Sequence, residues 1–234
     1  MDAQIALNMV AWHPCHRLVA TRFPTVGLYD EVASAEDLDV VLAIEALTNP
    51  RVRQELGQLS LVQPADRVVG SGATLIMSAF AHLNPLGSRF SDGSWGVYYA
   101  ADSLNTAVAE VSHHRAAFLT RTAEPALDLN LRWVQADLLE KLHDVRGQAL
   151  SMPAVYDPAR DPARYGASQD FAQALRSQAS MGIAFDSVRR PMGQCVAIFK
   201  PKALSNARAA GHIGLHWDGH AISHWFEKGA PHAV

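Results

Sequence analysis

"GVYYAADSLNTAVAEVSHHRAAFL", residues 96–119, decides what kind of fold this chain adopts. Its first part suits a strand, because Val97, Tyr98 and Tyr99 favour a pleated, half-buried surface. Successive side chains on a strand point to opposite faces, so Tyr98 and Tyr99 must serve different sides of a sheet. The second part reads as a helix. Asp102 or Ser103 can cap it by accepting a hydrogen bond from a first-turn N–H, and Leu104, Ala107, Val108 and Val111 recur at the spacing of a buried stripe. Glu110 sits roughly 120° from the centre of that stripe, on its flank, where a glutamate is ordinarily solvated.

Upstream, residues 12–29 mix β-formers with two prolines and are expected to form a short strand around Arg17 followed by a loop. From Ser34 a capped, apolar-striped helix is expected, broken at Asn49-Pro50, with a second short helix after it. "SGATLIMSAFAHLNP" predicts a further helix ending before Pro85. Downstream, "ALDLNLRWVQADL" contains a strand, a helix is expected over about 167–179, and "GIAF" and "CVAIF" read as strands joined by a turn. The tail after Lys200 is rich in glycine and histidine. Strands and helices are interspersed without regular βαβ spacing. A mixed α/β or α+β sheet domain fits that pattern better than a doubly wound nucleotide fold, in one compact domain over 1–234.

Composition narrows the function. The 234 residues are 49% hydrophobic, enough for one sizeable core. Twenty Lys and Arg against 23 Asp and Glu leave a net charge of −3, so no basic field recommends nucleic acid and no polybasic anchor recommends a membrane. No stretch reaches the ~18 apolar residues of a membrane span, and the N-terminus lacks a secretory signal. The two cysteines, Cys15 and Cys195, form no CxxC pair; free thiols in a reducing cytoplasm are expected.

Several patterns point to chemistry that the spacing does not support. "GSGA" at 70–73 lacks the Gly-Lys-Ser/Thr ending of a phosphate loop. "DGSWG" around Ser94 is not a nucleophile elbow. Histidines at 212, 216, 220 and 224 would align on a helix as metal ligands, but Gly211, Gly214 and Asp218-Gly219 argue against a continuous helix, and no metal site is expected. More suggestive is Arg89, a planar fork suited to phosphate oxygens, in a loop with Gly87 and Gly93 close by.

The order of these pieces resembles the RES family, named for Arg, Glu and Ser. The resemblance is carried by "HR" at 16–17, "GSRF" at 87–90, "VYYAA" at 97–101, "AVAE" at 107–110 and the run "YGASQDFAQALRSQASMGIAFDSVRRPMGQCVAIFKP" at 165–201, in which Ser187 stands as the serine. The connection between Arg17 and Arg89, about 70 residues, is longer than in compact members. The loop "GSRFSDGS" also departs from their common Gly-Gly-Arg-Trp run. Members adopt a fold like that of ADP-ribosyltransferases and act on NAD, commonly as toxins opposed by an antitoxin, so the resemblance implies an α+β fold with a mixed, mostly antiparallel sheet and flanking helices, in a single RES-like domain over 1–234 with a helical insertion at about 34–84. The resemblance therefore implies an NAD-consuming enzyme that cleaves the nicotinamide–ribose bond, as an NAD phosphorylase or glycohydrolase, in the cytoplasm. Protein ADP-ribosyl transfer or a catalytically silent nucleotide-binding module are the alternatives. NAD would be substrate, not cofactor; inorganic phosphate and a cognate antitoxin are the implied partners.

That chemistry assigns roles. Cleavage expels neutral nicotinamide and leaves positive charge on the ribose, so a carboxylate near the oxocarbenium-like centre is needed, and Glu110 is the candidate. Arg89, as catalytic cation, and Arg17 would hold the pyrophosphate. Tyr99 would orient nicotinamide. Ser187 would donate a hydrogen bond to a phosphate, a ribose or the nicotinamide amide.

Overall fold

A computed structural model describes residues 5–21, 29–30, 34, 38, 58–158 and 162–229. The helices expected between Ser34 and about residue 57 lie outside the described residues for nearly all their length.

Strand β1 (Leu7–Ala20) opens the chain and α1 (Ala73–Ala81) is the first described helix. The stretch 96–119 becomes β2 (Tyr98–Ala101) and α2 (Leu104–Thr122). Then follow β3 (Leu127–Asp144), α3 (Gly166–Ser177), β4 (Gly182–Asp186), β5 (Gln194–Ile198), β6 (Leu204–Trp217) and β7 (Ile222–Glu227). The strands form one sheet in the order β1-β2-β5-β4-β3-β6-β7, and β1 also pairs with β3. Every pairing is antiparallel except β3–β4. The expected α+β architecture with a mostly antiparallel sheet is thus the one observed.

β1 is longer than the short strand expected, because it pairs with β3 from Leu7↔His143 to Ala20↔Leu131. Pro14 has no N–H to give a ladder, and the register shifts between Trp12 and Cys15. β3 is longer than expected for the same reason: β1 lies along it while β6 and then β4 take turns on its other side. The tail after Lys200, rich in glycine and histidine, forms β6 and β7. Their glycines are tolerated because pairing and packing across the sheet, not local propensity, hold them. At Gly214 a side chain would collide with the Phe226 ring, 2.3 Å from a Cβ built there.

Two apolar layers cover the sheet. On one side α1 packs Ala73, Ile76, Met77 and Phe80 with Cys15, Tyr98, Ala184 and Val196. On the other, α2 and α3 bring Ala107, Val108, Ala172 and Leu175 onto Ala101, Phe185, Cys195 and Ala197. Tyr98 and Tyr99 divide between these layers, as strand alternation requires. No helix among the described residues is long and apolar enough to cross a membrane.

Candidate active site

Ser103 caps α2, its hydroxyl accepting from the Thr106 N–H at 3.3 Å. The cap sets the phase of the helix, and with Ala107 and Val108 committed to the core the next turn presents Glu110 along the sheet toward the end of β4. There Ser187 Oγ donates to Glu110 Oε1 at 2.5 Å. The same oxygen accepts from the N–H groups of Arg189 at 3.1 Å and Arg190 at 3.0 Å. A hydroxyl has one proton and two lone pairs, so Ser187 is fully engaged: its own turn aims it, and its proton holds the carboxylate. The turn itself is closed by Ser187 N–H donating to Gly193 O at 2.9 Å. It packs tightly on α2, since a Cβ at Gly193 would lie 2.8 Å from Thr106. Arg190 adds a bond from Nη1 to Thr106 Oγ1 at 3.2 Å.

Arg89 comes from the corner of a tight loop. Ser88 N–H donates to Ser91 O at 2.7 Å, and Gly87, at φ +70°, makes the preceding bend where a Cβ would sit 2.7 Å from Ser91 O. Phe90 turns fully inward against Phe185, ring centroids 5.1 Å apart, which leaves Arg89 facing the opposite way. Two side chains pin this loop. Tyr99 Oη accepts from Phe90 N–H at 3.0 Å and shares a hydrogen bond with Ser88 Oγ at 2.8 Å; Gln169 Nε2 donates to Ser88 O at 3.0 Å and Ser91 O at 3.2 Å. Burial pushes the Tyr99 hydroxyl up to about 12, so it serves as a neutral hydrogen-bonding group. Tyr99 thus positions Arg89 through its hydroxyl, a role that sequence alone did not assign to it.

Arg89 Nη1 donates to Val155 O at 2.6 Å and Nη2 to Asp157 O at 2.9 Å, and its guanidinium lies over the Tyr165 ring at 5.0 Å. Arg189 joins it. Arg189 Nη1 donates to Pro158 O at 2.9 Å; burial lowers its proton affinity, the charge of Glu110 opposes that, and the neighbouring Arg89 adds to it. His114, one turn after Glu110, senses the same cations. Its pKa is pushed down to about 4 by desolvation first and then by Arg189, Arg89 and Arg115. Much of the residue's surface is nonetheless open. Cys195 Sγ lies 3.9 Å from Glu110 Oε1. Burial, and then the Glu110 charge, push its thiol up, which makes it an inert core thiol and no nucleophile.

Glu110, Ser187, Arg89 and Tyr99 therefore share the side of the sheet covered by α2 and α3. Arg17 reaches a different place. Its Nη1 donates to Tyr99 O at 3.1 Å and its guanidinium stacks over the Tyr98 ring at 4.5 Å. Its electrostatic neighbours are Tyr98, Cys15 and Tyr99, none of them an acid residue. Arg189, Tyr165, Gln169 and His114 lie beside the candidate residues without having been named as candidates from the sequence. Position within the run "SVRR" was the available signal for Arg189, but nothing local tells which of two adjacent arginines turns toward a glutamate 79 positions upstream.

Two surface cavities lie elsewhere. One of about 290 Å³ is lined by Phe80, Trp95, Arg176, Phe199 and Lys200 among others; one of about 240 Å³ is lined by Arg115, Phe118 and Asp128–Leu131. Neither includes Glu110 or Ser187. The tail histidines fall on the β6–β7 hairpin, where His216 and His224 pair across strands and stack at 4.7 Å, with Asp128 Oδ1 2.6 Å from His216 Nδ1. Among the described residues no group of three or more His, Cys, Asp or Glu side chains is placed to hold a metal.

A half-buried carboxylate held by a serine with two arginines nearby is an arrangement chemically suited to an anionic ligand and to a centre that gains positive charge. The RES domain model matches residues 64–218, well over half of the sequence, and the chain belongs to the RES domain family. It is similar to the uncharacterized protein y4oC of Sinorhizobium fredii, 28% identical over 208 residues that cover 89% of this chain and 84% of that protein. It also aligns with a solved structure, the M. tuberculosis MbcT-MbcA toxin-antitoxin complex, over 87% of this chain and 86% of the matched chain, at TM-score 0.42 and 14% identity. That likeness is too distant to support the assignment, which rests on the family match.

Proposed function

We propose that the protein is an NAD-consuming enzyme that breaks the nicotinamide–ribose bond by phosphorolysis or hydrolysis, and that it acts as the toxin of a toxin–antitoxin pair. Membership of the RES family supports the class of reaction. The observation that carries the reading is the Glu110 carboxylate, fixed by Ser187 Oγ at 2.5 Å and faced by the Arg89 and Arg189 charges.

The chemistry fits that arrangement. The scissile bond joins ribose to a cationic pyridinium, so the leaving group departs neutral without an acid, and the positive charge passes to the sugar. A preorganised carboxylate lowers the energy of that transition state because its orientation is fixed before charge develops. Ser187 supplies the fixing. Arg89 balances the pyrophosphate, and Tyr99 and Gln169 hold its loop so that little side-chain entropy is lost on binding. Arg17, stacked over Tyr98 on the other side of the sheet, has no substrate role in this reading. The acceptor, phosphate or water, distinguishes the two enzymes, and a protein acceptor would make the same site an ADP-ribosyltransferase.

Purified protein incubated with NAD, with and without inorganic phosphate, tests the reading through nicotinamide release. Release that rises with phosphate identifies a phosphorylase; release independent of phosphate identifies a hydrolase. No release from protein freed of any inhibitor overturns both.

A further inference from the structure

The cavity of about 290 Å³ opens at the end of the sheet away from Glu110. Trp95 and Gly96 lead into β2 there, and Phe199 to Pro201 lead out of β5, whereas Ser187 and Gly193 lie where β4 ends and β5 begins. Its walls are tightly built. Gly96 presses on α1 so closely that a Cβ would lie 2.4 Å from Phe80 Cα, and the Trp95 ring meets Phe199 edge to face, centroids 4.9 Å apart. Phe80, Trp95 and Phe199 are each no more than 6% exposed, so the aromatic lining belongs to the packed core and not to a mobile rim.

Charge is arranged around that apolar lining in one sense. Arg176, in the last turn of α3, lies over the Trp95 ring at 4.8 Å, and among the described residues it has no ion pair and no hydrogen bond. Asp92, whose carboxyl is lowered first by its Ser94 hydrogen bonds, feels Arg176 last of all. Lys200 Nζ lies 3.6 Å from Asp66 Oδ2, while Lys202 Nζ takes the other oxygen of the same carboxylate at 2.6 Å. One acid therefore serves two lysines. The lining carries Arg176 and Lys200 against that shared Asp66, an excess of positive charge beside buried aromatic rings.

We propose that this cavity binds a small organic carboxylate with an apolar, ring-sized body, its ring against Phe80 and Phe199 and its carboxylate on Arg176 and Lys200. The lining decides the class. A few convergent polar groups on a mostly apolar concave wall suit an amphipathic small molecule, and the planar guanidinium fork matches a carboxylate in two parallel hydrogen bonds. Arg176 is already oriented by the indole face beneath it, so little side-chain freedom is lost on binding. The inference does not depend on the reading of the Glu110 site.

Ligand-detected NMR titration of the full chain with 3-phenylpropionate, with its uncharged amide and with acetate tests the proposal. Wild type is expected to bind 3-phenylpropionate saturably, with a Kd on the order of a millimolar. The amide lacks the charge and acetate lacks the ring, so each should bind at least roughly tenfold more weakly. Arg176→Gln should weaken 3-phenylpropionate by roughly tenfold, and Lys200→Gln by less, because Lys202 still draws on Asp66. Arg208→Gln, at an exposed arginine bonded to the Asn206 carbonyl, should match wild type. Absence of saturable binding overturns the proposal, as does equal affinity for the amide or wild-type affinity in Arg176→Gln. Displacement by excess ADP-ribose would move the carboxylate to the Glu110 arginines and overturn it as well. If Lys200→Gln melts early, Arg176→Gln decides alone, since that side chain is exposed.

Discussion

Strand β2 sends one tyrosine to each side of the sheet, and the two sides have been built to different ends. On the Tyr98 side, the hydroxyl is fully buried and has no hydrogen-bond partner among the described residues, and the Arg17 guanidinium lies over the ring at 4.5 Å. On the Tyr99 side, the hydroxyl serves Ser88 and Phe90, Gln169 ties down the same loop, and Glu110, Ser187, Arg89 and Arg189 share one seam. An unmatched buried hydroxyl costs about 1–3 kcal/mol; a cation over an aromatic face returns up to about 2 kcal/mol. The contrast teaches where to look for chemistry. Polar groups that hold one another in a chain are preorganised, whereas a polar group tolerated beneath a stacked cation is mainly packing.

The strongest way to break that contrast is at Glu110. Glu110→Gln keeps shape and a hydrogen bond to Ser187 but removes the charge, so nicotinamide release should fall by roughly 10²–10³-fold with an unchanged melting temperature. A variant with wild-type turnover would show that the Tyr99 side is structural after all.

Next comes the support under that side. Arg146 donates from Nε to Asp144 Oδ1 at 2.8 Å and from Nη2 to Oδ2 at 2.5 Å, and reaches Gln194 at the start of β5. Gly147 N–H bonds Asp186, the residue before Ser187. The Arg146 hydrogen bonds hold the Asp144 carboxyl down to about 2. A depressed folded-state pKa contributes stability above the ordinary carboxylate value of about 3.9, and that contribution is lost as pH falls through about 2. Denaturant melts should therefore lose about 2 kcal/mol between pH 4 and pH 2, and Asp144→Asn should remove that portion of the acid sensitivity. An identical pH slope in the variant would show that other carboxylates govern it.

The tyrosines sharpen the comparison directly. Tyr99→Phe removes two hydrogen bonds from the Arg89 loop and should cost about 1–2 kcal/mol of stability together with a raised KM for NAD. Tyr98→Phe removes only an unmatched hydroxyl and should be neutral or slightly stabilising, within about 1 kcal/mol, as read from chemical denaturation. Reversed outcomes would exchange the roles of the two sides. Smallest of all, His216→Ala with His224→Ala on the hairpin should leave turnover at the wild-type level and change stability by no more than about 1 kcal/mol, since the pair is exposed; a large loss of activity would extend the site to β7.

Much of this was legible residue by residue. Strand alternation alone put Tyr98 and Tyr99 on opposite sides, and the Ser103 cap followed by the stripe through Ala107 and Val108 placed Glu110 on a helix flank. Family order brought Arg89 and Ser187 to the same discussion as Glu110. The β6–β7 hairpin was illegible because its glycines argue against a continuous helix without announcing a strand, and β3, nearly 80 residues earlier, supplies a partner that holds β6. Arg189 was illegible for a related reason: a turn of two arginines has no periodicity, and which one faces the site depends on how Gly193 lets the turn approach Thr106.

Local chemistry, then, was enough for the sequence to determine the strand–turn–helix around residue 100 and a domain of interspersed strands and helices, whereas the mostly antiparallel α+β class and the residue types of the candidate site came from the resemblance of the residue order to the RES family. Only the tertiary structure decided that Ser187 spends its proton on Glu110, that Tyr99 works through its hydroxyl, that Arg17 lies over Tyr98, and that Arg189 stands beside Arg89. Hydrogen bonds and charges act over a few ångströms, and which groups come within that range is set by strand pairings between residues tens of positions apart, which no local pattern encodes.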